Sequence, residues 1–277
     1  MAEKRALVVG GGGVTGIAWA TGMLFGLEQA GVHLRQAERL VGTSAGSAIA
    51  AQLIGPASLE ELYERQLAGT VQELPGALAG IGMLRVMWPL LTKRDHAKAM
   101  RTIGRYALGC GVERAAGRRA VIEQRVDGVE WDPERDLGIV AINIDTGERV
   151  VFRAGGPASL TDAVEASCAV PGVWPVVTID GVRYMDGGIS SPAHVDLAGD
   201  AGRVVVLAPL VMGVRGRAPG AQLAALDCRG LILTPDAEAK EALGSNPLDP
   251  AARVASAQAG LAQAGREVDQ VRGVWAG

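Results

Sequence analysis

The sequence predicts an α/β fold with a mainly parallel central sheet. Three observations predict it. Apolar runs of strand length recur at Arg5–Val9, Leu137–Ile142, Arg203–Pro209 and Gly230–Pro235, and continuous runs of that kind suit strands covered on both faces. The first run passes through a glycine loop into a helix-like stretch, and the short run Arg39-Leu40-Val41 passes through a serine turn into another. At 277 residues, 48% hydrophobic and 21% charged, the chain can bury a core large enough for one sizeable α/β domain over 1–277.

In chain order, Arg5–Val9 is followed by Gly10-Gly11-Gly12-Gly13-Val14-Thr15-Gly16 and then Ile17-Ala18-Trp19-Ala20. This β-turn-α unit aims bare backbone N–H groups at negative charge, either as an oxyanion hole or as a phosphate cradle. Gly11-x-Gly13-x-x-Gly16 also fits the dinucleotide fingerprint, which further requires an acidic residue ending a second strand about 20 residues on. Gly31-Val32-His33-Leu34-Arg35 ends in a basic residue instead, and Arg39-Leu40-Val41 runs directly into the serine turn. A Walker loop is excluded, because no Gly-Lys-Ser/Thr follows.

Gly42-Thr43-Ser44-Ala45-Gly46 is a G-x-S-x-G run before the Ala-rich Ser47–Ala51. It reads either as a nucleophile elbow, with Ser44 on a strand-to-helix turn and Gly42 and Gly46 permitting close backbone approach, or as an ordinary helix start capped by Thr43 or Ser44. The helix continues to Ile54, breaks at Pro56-Ala57-Ser58 and restarts with Ser58 as N-cap. The stretch from Val121 to Gly156 reads as strand-rich, with Leu137–Ile142 as a buried central strand and Asp145-Thr146-Gly147-Glu148 as a turn. Asp180-Gly181 is a hairpin turn that delivers Asp186 to the end of a strand, before Gly187-Gly188. Asp186 is then either functional or a turn aspartate bonded to its own backbone. Pro250 to Val274 reads as a helix against the sheet, within a helical region over about 236–277.

Net charge is −3 with no basic run, which argues against a nucleic-acid partner. Cys110, Cys168 and Cys228 are odd in number and far apart, so they form neither a disulfide framework nor a metal-ligand spacing. Together with Met1–Arg5 leading straight into the first strand, this gives a cytoplasmic expectation. His33, His96 and His194 are scattered and read as surface or satisfied core residues.

Taken together, the glycine loop, the G-x-S-x-G run and Asp186-Gly187-Gly188 resemble the patatin-like phospholipase family of serine acyl hydrolases, in the family's order and at similar spacing. Ala166-Ser167-Cys168-Ala169-Val170-Pro171-Gly172-Val173-Trp174-Pro175 adds a fourth match, and the resemblance covers roughly residues 6–210. It implies a three-layer α/β/α sandwich, a Ser44–Asp186 dyad, an oxyanion hole from Gly11, Gly12 and Gly13, and no cofactor or metal. Two positions depart from the family. Thr15 stands where a basic residue is usual, and Ser190-Ser191-Pro192-Ala193-His194 replaces Asn-x-Pro after the Asp-Gly-Gly.

A cap insertion is expected over about 69–110. Within it, Leu78 to Leu91 is dense in apolar residues and interrupted by Gly80, Gly82, Arg85 and Pro89, too broken for a membrane span of about 20 residues. It reads as a core helix or subunit contact, or as a cap in which Met87 and Trp88 line an acyl-chain pocket or touch lipid. The functional expectation is hydrolysis of lipid or phospholipid esters, with peripheral membrane contact. The alternatives are a catalytically weak lipid-binding or regulatory protein, raised by Thr15, and a dinucleotide-binding protein. Oligomeric state is not encoded in any motif.

Overall fold

The computed structural model describes residues 3–69, 71–74, 76, 80–214 and 216–276. Strand β1 (Arg5–Val9) leads through the glycine loop into α1 (Gly13–Gln29), and β2 (Arg39–Thr43) leads through Ser44 into α2 (Ala45–Ile54). Helix α3 (Leu59–Ala68) starts on Ser58, which forms a reciprocal capping box with Glu61, and ends on Gly69 in the left-handed conformation. Three further helices follow, α4 (Gly80–Thr92), α5 (His96–Ala107) and α6 (Ala115–Val126). The chain then returns to the sheet with β3 (Asp136–Asn143) and β4 (Arg149–Phe152), crosses it with α7 (Leu160–Ser167), and forms the hairpin β5 (Val177–Ile179) and β6 (Val182–Asp186). Strand β7 (Arg203–Leu207), the short α8 (Pro219–Leu223), β8 (Arg229–Leu233), α9 (Ala237–Leu243) and α10 (Arg253–Trp275) complete the order.

The strands form one sheet in the order β5-β6-β3-β2-β1-β7-β8, with β4 also paired to β3. From β3 to β8 the pairing is parallel, while β4, β5 and β6 join antiparallel. The sheet is therefore mixed, with a five-stranded parallel part at its centre and one edge. Alternation along the strands sends side chains to opposite faces. Leu7 and Val9 join a large core with α1, α2, α3, α7 and α10, whereas Val8, Val41 and Val140 pack on the other face against Ala193, Val195 and Ala198. Farther along that second face, Ile142 and Met185 meet α4 and α5.

Helix α1 is buried from Val14 to Leu27 because α10 covers its outer side. The contact needs glycine: a Cβ at Gly22 would lie 2.1 Å from the Ala257 carbonyl oxygen. Trp19 Nε1 donates to Gln263 Oε1 across the same contact at 2.9 Å.

Three local expectations change. The strand-rich reading began too early, since Val121 to Val126 is the end of α6; Arg118, Val121, Ile122, Arg125 and Val126 are its buried residues, a helical spacing. Strand β8 is an edge strand, with Arg229 and Gly230 exposed, instead of a strand covered on both faces. Gly80, Gly82 and Pro89 do not break the apolar segment into pieces. Both glycines fall in the first turn of α4, where N–H groups have no intrahelical acceptor, and Pro89 removes only the bond to the Arg85 carbonyl one turn from the end. Leu78 lies outside the described residues.

Candidate active site

The parallel strands end at the site. Ser44 follows β2 directly, with φ 53 and ψ −125, a conformation few non-glycine residues adopt. Its neighbours hold it there. Ser44 N–H donates to Ser167 Oγ at 2.9 Å, and Ser167 in turn donates to the Val140 carbonyl at 2.6 Å. Ser47 N–H and Oγ both donate to the Ser44 carbonyl. The turn fits only because its flanks lack side chains: a Cβ at Gly46 would lie 2.1 Å from the Val9 carbonyl oxygen, and one at Gly42 2.6 Å from Ser47 Cα.

Asp186 ends β6, where its N–H donates to the Ala169 carbonyl at 3.0 Å. The carboxylate accepts from Ser44 Oγ at 2.6 Å on one oxygen and from Gly188 N–H at 2.6 Å on the other. It is therefore both the turn aspartate and the partner of Ser44. Burial pushes its pKa up to about 6, opposed by the Ser44 and Gly188 hydrogen bonds and by the Arg118 cation.

The glycine loop lies against Ser44, with the Cβ position of Gly11 3.3 Å from Ser44 Cβ. Its donors are not equivalent. Gly11 N–H is taken by the Pro192 carbonyl at 2.8 Å, so Gly11 is corrected from oxyanion donor to structural anchor. Gly12 and Gly13 N–H have no partner among the described residues and stand at the start of α1, where the helix dipole favours negative charge. Thr15 is buried within α1 with its hydroxyl unpartnered, and it does not line the cavity beside Ser44.

That cavity measures about 540 Å³ and includes Gly11, Gly12, Gly13, Ser44, Ala45 and Asp186 in its wall. Its apolar side is built by Met83, Val170, Trp174, Leu210, Met212 and Leu248. Met87 and Trp88 do not line it: Met87 packs against the cluster around Met100 and Ile103, and Trp88 is 63% exposed. On α4 the residue that reaches the cavity is Met83, one turn earlier, because the helix presents Met87 to the sheet.

The histidines are engaged elsewhere. His194 is fully buried; its Nε2–H donates to the Gly187 carbonyl at 3.0 Å and its Nδ1 accepts from Arg149 at 3.2 Å. Burial pulls its pKa down to about 4, so it stays neutral with both ring nitrogens occupied. His96 Nε2 bonds Ser190 Oγ at 2.8 Å.

Residues 7–198 match the family model for patatin-like phospholipase. The chain belongs to that family. Among solved structures, VipD from Legionella pneumophila aligns with a TM-score of 0.50 at 13% identity, covering 97% of this chain and 67% of VipD. The type III effector protein ExoU aligns with a TM-score of 0.44 at 19% identity, covering 98% of this chain and 53% of ExoU, so the chain spans about half of that protein's length. The patatin-like match places this protein in a family of lipid hydrolases, and it ends before Leu210, Met212 and Leu248, three of the cavity's apolar residues.

Sequence reasoning overlooked several residues of this patatin-like site. Ser167, which orients the Ser44 amide, sits inside the Ala166–Pro175 motif and was accessible from it. Arg118 and Met212 come from segments without a motif and reach the cavity only through tertiary packing, while Met83 lies in the apolar Leu78–Leu91 segment, where the sequence points to Met87 and Trp88 instead. Among the described residues no helix is long and apolar enough to cross a membrane.

Proposed function

We propose that this patatin-like protein hydrolyses acyl esters of lipids through a Ser44–Asp186 dyad. The observation that carries the reading is the 2.6 Å hydrogen bond from Ser44 Oγ to the Asp186 carboxylate at the wall of an apolar cavity. Asp186 takes the Ser44 proton as Oγ bonds to the ester carbonyl carbon, and the carbonyl π electrons move onto oxygen. The N–H groups of Gly12 and Gly13, at the start of α1, face the developing oxyanion. Collapse breaks the ester C–O bond, and the departing alcohol takes the proton from Asp186. Water then attacks the acyl carbonyl carbon and loses a proton to Asp186, which returns it to Ser44 Oγ as the acyl–Oγ bond breaks and the fatty acid leaves. The strained serine and its fixed amide support this reading, because such strain is held where preorganisation is needed. The two occupied nitrogens of His194 favour a dyad over a triad.

Access from a lipid surface forms part of the same reading. Ile81, Leu84 and Trp88 stand 72%, 59% and 63% exposed at i, i+3 and i+7 on α4, and Met212 beside the cavity is 84% exposed. Such a face next to an apolar cavity suits peripheral contact with a bilayer, with Arg94 and Lys98 exposed nearby for anionic headgroups.

A fluorophosphonate probe tests the chemistry. The wild-type chain should label on Ser44, and both Ser44→Ala and Asp186→Asn should lose nearly all hydrolysis of p-nitrophenyl esters while folding normally. Either loss should cost about as much as both together, since the two groups act as a unit. A single variant that keeps most of the wild-type rate would remove the dyad.

A further inference from the structure

Arg118 lies on α6, is 6% exposed, and borders the same cavity as Ser44 and Asp186. Its Nε has no hydrogen-bond partner, and no acidic side chain among the described residues forms an ion pair with it. The contrast is with Arg125, two turns on in the same helix and equally buried, which is matched by Glu73 through two hydrogen bonds. A buried cation normally has such a partner, because removing an unpaired charge from water is expensive. Burial and the nearby Arg125 pull the Arg118 pKa down only to about 10, so the group keeps its charge at neutral pH.

The guanidinium is also held in place. Its Cζ sits 4.6 Å from the centroid of the buried Trp174 ring. Stacking occupies the face of the guanidinium and leaves its N–H edge available for a two-pronged contact with an oxyanion. A fixed cation with no ion-pair partner among the described residues, close enough to Asp186 and Glu73 to feel their charge, thus shares one cavity with an apolar wall and a serine on an elbow.

We propose that Arg118 recognises the phosphate of a lipid substrate, holding the headgroup while the ester carbonyl faces Ser44. The orientation relative to Ser44 rests on the hydrolase reading above; the anion site itself does not.

Calorimetric titration separates the two. The probes are dodecyl phosphate, dodecanoate, inorganic phosphate and dodecyl maltoside, none of which carries a cleavable acyl ester. Dodecyl phosphate should bind the wild-type chain and lose about tenfold or more in affinity in Arg118→Met, as expected for a charge-assisted contact. Arg118→Lys should recover part of that loss, and dodecyl maltoside should respond to neither change. Circular dichroism of both variants reports the fold, and the lysine variant carries the test if the methionine variant misfolds. Equal binding of dodecyl phosphate by all three proteins would make Arg118 a packing partner of Trp174 and overturn the proposal. So would equally tight binding of inorganic phosphate, which would mean a free-phosphate site, or of dodecanoate, which would mean a carboxylate site. Fluorophosphonate labelling of the wild-type chain reads the nucleophile independently: labelling without Arg118-dependent binding leaves the hydrolase and removes this site, and the reverse leaves this site and removes the hydrolase.

Discussion

Asp186 carries two opposing demands. As the proposed base it needs its charge, yet the carboxylate is buried and holds its proton up to about pH 6. Hydrolysis should therefore rise with pH through about 6 and level off above it, reporting the ionised form in the free enzyme. A kcat/KM profile with no inflection between pH 5 and 7 would contradict this. Stability runs the other way. With a folded pKa of about 6 against 3.8 unperturbed, the native state binds more protons than the unfolded chain between those values, so stability is fullest below about 4 and is lost as pH rises through 6. Asp186→Asn, which can keep the Ser44 and Gly188 contacts without a charge, should thus melt higher than wild type at pH 8, with the gap narrowing towards pH 4. A lower melting temperature at pH 8 would show that the charge is better compensated than its surroundings indicate. Ser44 and Asp186 were legible in the sequence because a strained elbow and a strand-end carboxylate both require neighbouring glycines. The occupation of the Gly11 amide was not, since its acceptor Pro192 is remote in sequence and only the fold brings it there.

At the scale of elements, α4 shows what local signals miss. Glycine and proline mark breaks only where they would interrupt the hydrogen-bond ladder, and here all three sit near helix ends. Once the segment is one helix, its faces are fixed: Val86 and Leu90 face the sheet side, Met83 the cavity, and Ile81, Leu84 and Trp88 the outside. This divides two properties that the sequence left together. Acyl-chain preference should follow Met83, so Met83→Ala should penalise long-chain esters more than short ones, by roughly 0.8 kcal/mol for each substrate methylene left without apolar cover. Lipid-surface access should follow the outer face. Replacing Ile81 and Trp88 together by Ser should lower the ratio of vesicle-lipid to soluble-ester hydrolysis about tenfold, in line with roughly one to two kcal/mol less apolar burial in the bilayer. An unchanged ratio would return this face to a protein contact. The strands were easier to read than α4 and α6, because continuous apolar runs bounded by turns have few other uses, whereas β-branched Val121 and Ile122 serve a helix face equally well.

Across the whole molecule, the long C-terminal helix stabilises the unit that begins the chain. Gln263 connects three parts at once, accepting from Trp19 on α1 and donating to the Thr234 carbonyl after β8 from its own place on α10. Gln263→Leu should destabilise the protein by about 1–3 kcal/mol in urea denaturation, because it strands the buried Trp19 N–H. A change within a few tenths would mean that the indole finds another acceptor. The loop before α10 also reaches the site: the Pro247 carbonyl accepts from Thr15 N–H at 3.2 Å, and Leu248 lines the cavity.

The cavity therefore has two sources in the chain. Residues 7–198, which match the family, hold Ser44, Asp186, the glycine loop and part of the apolar wall, while Leu210, Met212 and 245–248 add further lining. The family-matched part thus carries the proposed dyad together with Met83, Arg118, Val170 and Trp174, and the later segments add apolar residues to the same cavity. Changes at Leu210, Met212 and Leu248 can therefore reshape one part of the cavity wall while leaving the Ser44–Asp186 hydrogen bond and the glycine loop untouched.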